Sequence, residues 1–115
     1  MTFDRIAVLG AGAWGSALAN VAARTGRRVT LWTRDPKAAK AMMETRESPR
    51  LPGVTLAIGI EVTSDMAQAA RADAALIVVP AQALREVALT LGELLPAGTP
   101  VIACAKGIER GIIAS

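Results

Sequence analysis

Short apolar runs alternate with longer helical segments along this chain, and this alternation constrains the fold more than any other feature. The runs have the length and β-branched content of buried strands, and a helical pattern separates each from the next. They cover residues 5–9, 28–32, 60–63, 74–79 and 101–104. Alternating strands and helices form parallel sheets covered on both faces, with right-handed crossovers. The sequence therefore predicts an α/β fold: a doubly wound, Rossmann-like parallel sheet.

Local signals predict where the helices begin and end. The predicted helices cover residues 13–25, 36–47, 65–70 and 80–95. Asp35 followed by Pro36 predicts an N-cap with proline at the first helical position, and Ser64 is the predicted cap of the third helix. Gly26 suits a left-handed residue after the first helix. Within that helix the apolar residues Ala17, Leu18, Val21 and Ala22 stand at helical spacing. Residues 48–59 are predicted to form a loop.

Composition narrows the class of protein. A length of 115 residues suits one domain, and 52% hydrophobic with 20% charged residues argues against disorder. No apolar run approaches the roughly 18 residues of a membrane span, and the first residues lack a signal-peptide layout. The single cysteine, Cys104, fits a reducing cytoplasm and is predicted to pack as a small apolar residue. Without histidine, a His/Cys metal site is not expected.

The net charge of +3 raises nucleic-acid binding as a hypothesis. Basic residues concentrate between positions 27 and 50, but acidic residues lie among them and Trp32 is the one aromatic residue in that segment. Because base-stacking side chains are missing, we predict no nucleic-acid partner. The pattern favours a solvated helix face beside an anionic ligand.

Residues 10–15 read GAGAWG, which places three glycines in GxGxxG spacing between the first strand and the first helix. In that context Gly10 permits the tight turn, Gly12 lets a pyrophosphate approach the backbone, and Gly15 lets the helix pack against the strand. The N–H groups of Ala13 and Trp14 then face phosphate. For the Trp14 ring we predict packing against the sheet edge or a neighbouring domain. The alternative for the whole loop is a tight turn that binds nothing.

The end of the second strand bears on the choice between NAD and NADP. Folds that prefer NAD carry an acidic residue about 20 positions past the glycines, where it binds the ribose 2′-OH. Thr33 occupies that point here, and Asp35 is assigned to helix capping. Arg34 can meet a 2′-phosphate with its planar fork. We therefore predict that NADP(H) is preferred or at least accepted; the alternative for Arg34 is an exposed surface arginine.

Lys106 follows the fifth predicted strand in the segment ACAKGIERG. Ligands collect at the carboxyl ends of parallel strands, so this lysine is a candidate for holding a phosphate or a substrate oxygen. The alternative is a solvated loop lysine. Residues 79–82, which follow the fourth strand beside the same crevice, are candidates for lining the ribose and nicotinamide. No arrangement for nucleophilic catalysis is present, since no histidine exists to activate Cys104.

Taken together, GAGAWGSALA, LWTRD, LPG, VVPAQ and AKGIE resemble the N-terminal, cofactor-binding domain of bacterial NAD(P)-dependent glycerol-3-phosphate dehydrogenases over nearly the whole chain. The resemblance implies cofactor contacts at Ala13, Trp14, Arg34 and Lys106, with Lys106 also touching substrate. Three departures stand out. The family often has Ser in place of Ala13, and its Tyr-Leu-Pro-Gly segment is Arg50-Leu51-Pro52-Gly53 here. A second Leu-Pro of the family, a few residues later, appears as Leu56-Ala57.

The resemblance also implies an activity. The family is cytoplasmic, usually dimeric, and interconverts dihydroxyacetone phosphate and sn-glycerol 3-phosphate for phospholipid synthesis. Hydride passes from the nicotinamide to the ketone carbon, Lys106 orients the substrate, and a second lysine in a C-terminal helical domain exchanges the proton. Residues 1–115 are then the NAD(P)-binding domain of a larger two-domain enzyme, with no catalytic residue of their own. We expect them to bind dinucleotide without turning over substrate.

Two other hypotheses stay open at this point. The chain is a cofactor domain of another two-domain dehydrogenase, acting on a hydroxyacid or an acyl-CoA, or it is a non-catalytic dinucleotide sensor. Lys-Gly-Ile-Glu after the fifth strand counts against the first of these. Thr33 and Arg34 count against the second, because such sensors often carry an acid at that position.

Overall fold

The structure, a computed structural model, describes residues 3–104. The strands are β1 (Arg5–Leu9), β2 (Arg28–Trp32), β3 (Glu47–Ser48), β4 (Leu51–Thr55), β5 (Ile60–Thr63), β6 (Ala74–Ile77) and β7 (Val101–Ala103). The helices are α1 (Ala13–Arg24), α2 (Pro36–Thr45), α3 (Met66–Ala69) and α4 (Ala81–Leu94). Each of the predicted strands is present, although β6 and β7 end slightly earlier than predicted.

The main sheet has the strand order β5-β2-β1-β6-β7, and every pairing in it is parallel. Helices α1 and α2 pack on one face of the sheet and α3 and α4 on the other, each pair with its own core cluster. Val8 packs with residues of α1 and α2, whereas Ala7 and Leu9 pack with residues of α3 and α4. The predicted doubly wound sheet is confirmed, and its winding reverses between β1 and β6.

The residues that α1 buries most completely are not the apolar residues that stand at helical spacing. Its buried residues are Gly15, Ser16, Ala19 and Asn20. Of the four apolar residues at helical spacing, Leu18 and Ala22 pack partly buried against the core, whereas Val21 is 58% exposed. The physical reason is close approach: a helix that meets the sheet at a glycine leaves room only for small side chains at the interface. Small residues therefore occupy the closest contact, and Val21 lies outside it.

Two sequence predictions fail where α2 ends. The helix was predicted to reach residue 47, but it ends at Thr45, and Arg46 takes the left-handed conformation with φ 58°. That strain is offset because Arg46 Nη2 donates to the carbonyl oxygens of Ala57 and Ile60, at 2.7 and 2.9 Å. The predicted loop at 48–59 is also wrong, since β3 and β4 pair there as an antiparallel hairpin.

Asn20 of α1 forms hydrogen bonds with the end of that hairpin and with the segment after it. This side chain is 3% exposed, its Oδ1 accepts from the Ala57 N–H at 2.8 Å, and its Nδ2 donates to the Thr55 carbonyl at 3.3 Å. Both polar ends of a buried amide are thereby satisfied. The hairpin is therefore anchored to the same helix that begins at the glycine loop.

The predicted cap residue is correct for α2 and wrong for α3. Asp35 caps α2 as predicted, with its Oδ1 accepting from the Lys37 N–H at 3.0 Å. The cap of α3 is Asp65, not Ser64, and its Oδ1 accepts from the Ala67 N–H at 3.0 Å. Among residues 3–104, every helix is too short or too polar to cross a bilayer.

Candidate functional site

The carboxyl ends of the central strands are fastened together at the point where the winding reverses. The Gly10 N–H donates to the Trp32 carbonyl at 2.9 Å, which joins the ends of β1 and β2. The Val78 N–H donates to the Leu9 carbonyl at 2.7 Å, which joins the ends of β1 and β6. Open α/β sheets bind ligands outside this reversal point. The fold therefore puts the glycine loop at the predicted place for a ligand.

The packing of the loop requires two of its glycines. Gly10 has φ +125°, and a Cβ added there would overlap the Val78 carbonyl. A Cβ on Gly15 would overlap the Gly10 carbonyl. Because both collisions are with backbone atoms, neither is relieved by a side-chain rotation. The sequence predictions for the turn at Gly10 and the close helix–strand packing at Gly15 are confirmed.

Gly12 differs from the other two glycines of the loop. It is the N-cap of α1 with φ −71°, and no heavy atom lies within 4 Å of a Cβ added there. The first helical hydrogen bond runs from the Ser16 N–H to the Gly12 carbonyl at 2.9 Å, so the N–H groups of residues 13–15 precede the helical ladder. The first turn of α1 holds no acidic residue. An anion can therefore reach these amides from the open side of Gly12.

The open side of Gly12 faces a concavity of about 400 Å³, which we call the loop cleft. It is lined by residues 10–15, Thr33, Asp35, Ala38, Met42, Pro49, Arg50 and residues 78–80. Among the lining residues, Trp14 is 51% exposed. Arg50, brought in by the β3–β4 hairpin, is the one cation among these lining residues. The cleft thus combines helix-end amides with one basic residue, Arg50, and one acidic residue, Asp35.

A second concavity, also of about 400 Å³, lies between the end of β2 and the start of α4, and we call it the β2–α4 cleft. It is lined by Gly10, Ala11, Trp32, Thr33, Arg34, Val79, Pro80, Gln82, Ala83 and Glu86. Gly10, Ala11, Thr33, Val79 and Pro80 line both clefts. The two clefts therefore form one groove across the carboxyl end of β1, with the glycine loop at its middle.

Arg34 and Glu86 form an ion pair in the β2–α4 cleft. Arg34 Nη2 lies 3.3 Å from Glu86 Oε1, and the two side chains are 63% and 70% exposed. Exposed pairs of this kind contribute little to stability, because water screens the charges and both side chains lose freedom. Asp35, the next carboxylate along the chain, accepts from its own helix instead. The guanidinium is therefore held weakly and stays accessible from the groove.

The structure brings together six of the seven residues predicted to bind a cofactor. Gly10, Gly12, Ala13, Trp14 and Gly15 line the loop cleft, and Arg34 lines the β2–α4 cleft. Lys106 lies outside the described residues.

Sequence reasoning missed Arg50 and Glu86 as candidate site residues. Basic residues crowded between positions 27 and 50 were a signal for the first, and no local signal marked the second. Cys104 is partly buried against the core on the α1 and α2 face, as predicted. Residues 3–104 contain no group of three His, Cys, Asp or Glu side chains that could hold a metal ion.

A larger concavity, of about 630 Å³, lies away from this groove. It runs from the amino ends of β1 and β2 along edge strand β5, and its basic lining residues are Arg5, Arg28 and Arg71. Parallel sheets bind ligands at the opposite, carboxyl edge. The glycine-loop groove is therefore the stronger candidate, despite its smaller volume.

Comparison with known proteins finds relatives over nearly the whole chain. The family model for the NAD-dependent glycerol-3-phosphate dehydrogenase N-terminus matches residues 5–114. A glycerol-3-phosphate dehydrogenase [NAD(P)+] from Bradyrhizobium sp. (strain ORS 278) is 63% identical over 108 residues, which cover 94% of this chain and 33% of that protein. One from Azorhizobium caulinodans is 58% identical, with coverage of 97% and 34%. The chain thus spans about a third of the length of these relatives.

A solved structure shows the same fold. The crystal structure of glycerol-3-phosphate dehydrogenase from Coxiella burnetii superimposes with a TM-score of 0.82 at 32% identity, covering 91% of this chain and 34% of that one.

Proposed function

The chain belongs to the NAD-dependent glycerol-3-phosphate dehydrogenase N-terminus family, and from that premise we propose that its groove binds NADP(H) or NAD(H) for the reduction of dihydroxyacetone phosphate. One observation carries the proposal: the open, uncapped amides at the start of α1 beside Gly12. They lie where the loop cleft and the β2–α4 cleft meet. A mere structural turn would need Gly10 and Gly15, but it would not need an open position at Gly12.

Each part of the groove suits one part of a dinucleotide. The amides of residues 13–15 suit the diphosphate, because unpaired N–H groups and the positive end of the helix dipole both favour an anion. Arg50 adds a positive charge on the wall of the same cleft. The β2–α4 cleft suits the adenosine half, with Arg34 placed to meet a 2′-phosphate. The nicotinamide half then extends over the end of β6.

When bound, the nicotinamide supplies the hydride for the ketone carbon of the substrate. Lys106 is proposed to touch both cofactor and substrate and to orient the substrate oxygen. The proton-exchanging lysine is proposed to lie in a second, helical domain outside residues 1–115.

A protein of residues 1–115 is accordingly expected to bind NADPH but to leave the absorbance of NADPH unchanged on addition of dihydroxyacetone phosphate. Steady oxidation of NADPH in that assay would contradict this assignment.

We further propose that the complete enzyme is a cytoplasmic homodimer whose product, glycerol 3-phosphate, supplies phospholipid synthesis. These statements rest on the family alone. The substrate class they imply is a phosphorylated triose, which fits the cationic character of Arg50 on the cleft wall.

Tryptophan fluorescence tests the proposal, because both tryptophans of the chain line the groove. Trp14 lines the loop cleft and Trp32 lines the β2–α4 cleft. Titration with NADPH and with NADH should change the emission in a saturable way, at one equivalent per chain. Emission that stays constant with both cofactors up to millimolar concentration would contradict the proposed function.

The variant Arg34→Ala should weaken NADPH binding by roughly tenfold and NADH binding by less than about threefold. The larger loss follows because a charge-assisted, two-pronged contact to the 2′-phosphate disappears only for NADPH. The same fluorescence titration measures both dissociation constants. Arg24→Ala is the matched control, since it removes an exposed arginine at the other end of α1. Equal losses for the two cofactors in Arg34→Ala would show that Arg34 does not contact the 2′-phosphate.

A further inference from the structure

We propose that Glu86 sets the choice between the two cofactors by competing with the 2′-phosphate for Arg34, so that its carboxylate selectively lowers the affinity for NADP(H). This inference rests on the proposed function, because it assigns a specificity role within the same groove. The juxtaposition behind it is a carboxylate on α4 facing a guanidinium at the end of β2, across the β2–α4 cleft.

Glu86 is the one carboxylate among the residues that line this cleft. The end of β2, where an acid commonly reads the ribose hydroxyl, carries Thr33 instead. Asp35 accepts from the Lys37 N–H at 3.0 Å and lines the other cleft. The negative charge that the strand end lacks therefore comes from a helix on the opposite wall.

The geometry makes the ion pair easy to exchange. A single contact of 3.3 Å joins Arg34 Nη2 to Glu86 Oε1, and both side chains are largely exposed. A phosphate monoester carries about 1.5 to 2 negative charges at neutral pH and accepts two parallel N–H groups from a guanidinium. The 2′-phosphate thus displaces the carboxylate as the partner of Arg34.

Displacing Glu86 from Arg34 lowers the affinity for NADP(H) but not the affinity for NAD(H). Glu86 stays on the wall of the cleft after it loses Arg34, and its charge then repels the phosphate dianion at short range. With NAD(H) no phosphate arrives, Arg34 stays on Glu86, and the carboxylate can accept a hydrogen bond from a ribose hydroxyl. One ion pair therefore allows both cofactors to bind while it limits the advantage of NADP(H).

The test compares Glu86→Gln with Glu93→Gln by fluorescence titration at low salt. Glu93 lies two turns further along α4 and is exposed, so its variant changes the net charge equally but away from the cleft. Glu86→Gln should tighten NADPH binding by about three- to tenfold and change NADH binding by less than about twofold. Glu93→Gln should change neither constant by more than about 1.5-fold. The gain for NADPH should shrink at high salt, because the repulsion is screened.

Two results would overturn the inference while leaving the proposed function in place: equal shifts for NADPH and NADH in Glu86→Gln, or the same NADPH gain in Glu93→Gln. A wild-type chain that binds neither dinucleotide would overturn the proposed function itself, and this inference with it. Far-UV circular dichroism of the variants checks that the fold is kept, which is expected because Glu86 is 70% exposed.

Discussion

The variant Gly12→Asp should lose at least about 100-fold in affinity for both NADH and NADPH while its free energy of unfolding stays equal or rises by a few tenths of a kcal/mol. Gly12 has an ordinary φ of −71° and no heavy atom within 4 Å of an added Cβ, so the fold accepts a side chain there. Aspartate is a better N-cap than glycine and favours the helix dipole. The same carboxylate would occupy the amides proposed to hold the diphosphate and would repel it.

Calorimetric titration measures this loss, and urea denaturation measures the stability. Gly12→Ser is the matched variant, because serine also caps the helix but adds no charge. Its affinity should fall by about tenfold, since its hydroxyl obstructs the diphosphate without repelling it. Gly12→Asp binding both dinucleotides within about threefold of the wild-type constants would show that the diphosphate lies elsewhere.

The variant Gly15→Ala should lower the free energy of unfolding by about 2–4 kcal/mol. The added methyl group would overlap the Gly10 carbonyl, so α1 must move away from β1 and open the core between them. That displacement also moves the amides of the first helical turn, and dinucleotide affinity should fall with it. Urea denaturation gives the change in stability directly.

Gly92→Ala is the control for Gly15→Ala. The chemical change is identical and the residue is also helical, but nothing lies within 4 Å of the added Cβ. Alanine is the better helix former, so this variant should be stabilised by up to about 1 kcal/mol. Similar stabilities for Gly15→Ala and the wild type would contradict the close approach of α1 to β1.

The main sheet could be predicted because its determinants are local. Each of the predicted strands is a short apolar run, and β1, β2 and β5 have the predicted bounds. Asp35 and Pro36 begin α2 as predicted because a cap and its helix are adjacent in the chain. The five cofactor-binding residues predicted in the glycine loop are consecutive or nearly so, which is why spacing alone placed them together.

Contacts between distant residues account for what the sequence did not show. Arg46 ends α2 because its side chain reaches the carbonyl oxygens of Ala57 and Ile60, more than ten positions away. Asn20 of α1 fixes the end of β4 and the segment after it, at separations of 35 and 37 residues. Neither contact leaves a periodic signal, so residues 48–59 resembled a loop.

In the candidate site, too, local features could be predicted from the sequence and contacts between distant residues could not. Arg34 was identified from its place at the end of β2, but its partner Glu86 is 52 residues away. In the sequence Glu86 is one of several polar residues on α4, and only the place of α4 in the crossover from β6 to β7 brings it to the groove. The exposed Val21 has a related cause, because apolar spacing does not reveal that Gly15 selects small neighbours on the packed face.

The central claim is that the amides at the first turn of α1 hold a dinucleotide diphosphate. Mapping of backbone ¹H–¹⁵N chemical shifts during titration with NADH tests it residue by residue. The largest shifts are expected at Gly12, Ala13 and Trp14, at the middle of the groove. Shifts confined to the opposite edge of the sheet, around Arg5 and Arg28, with an unchanged glycine loop, would contradict it.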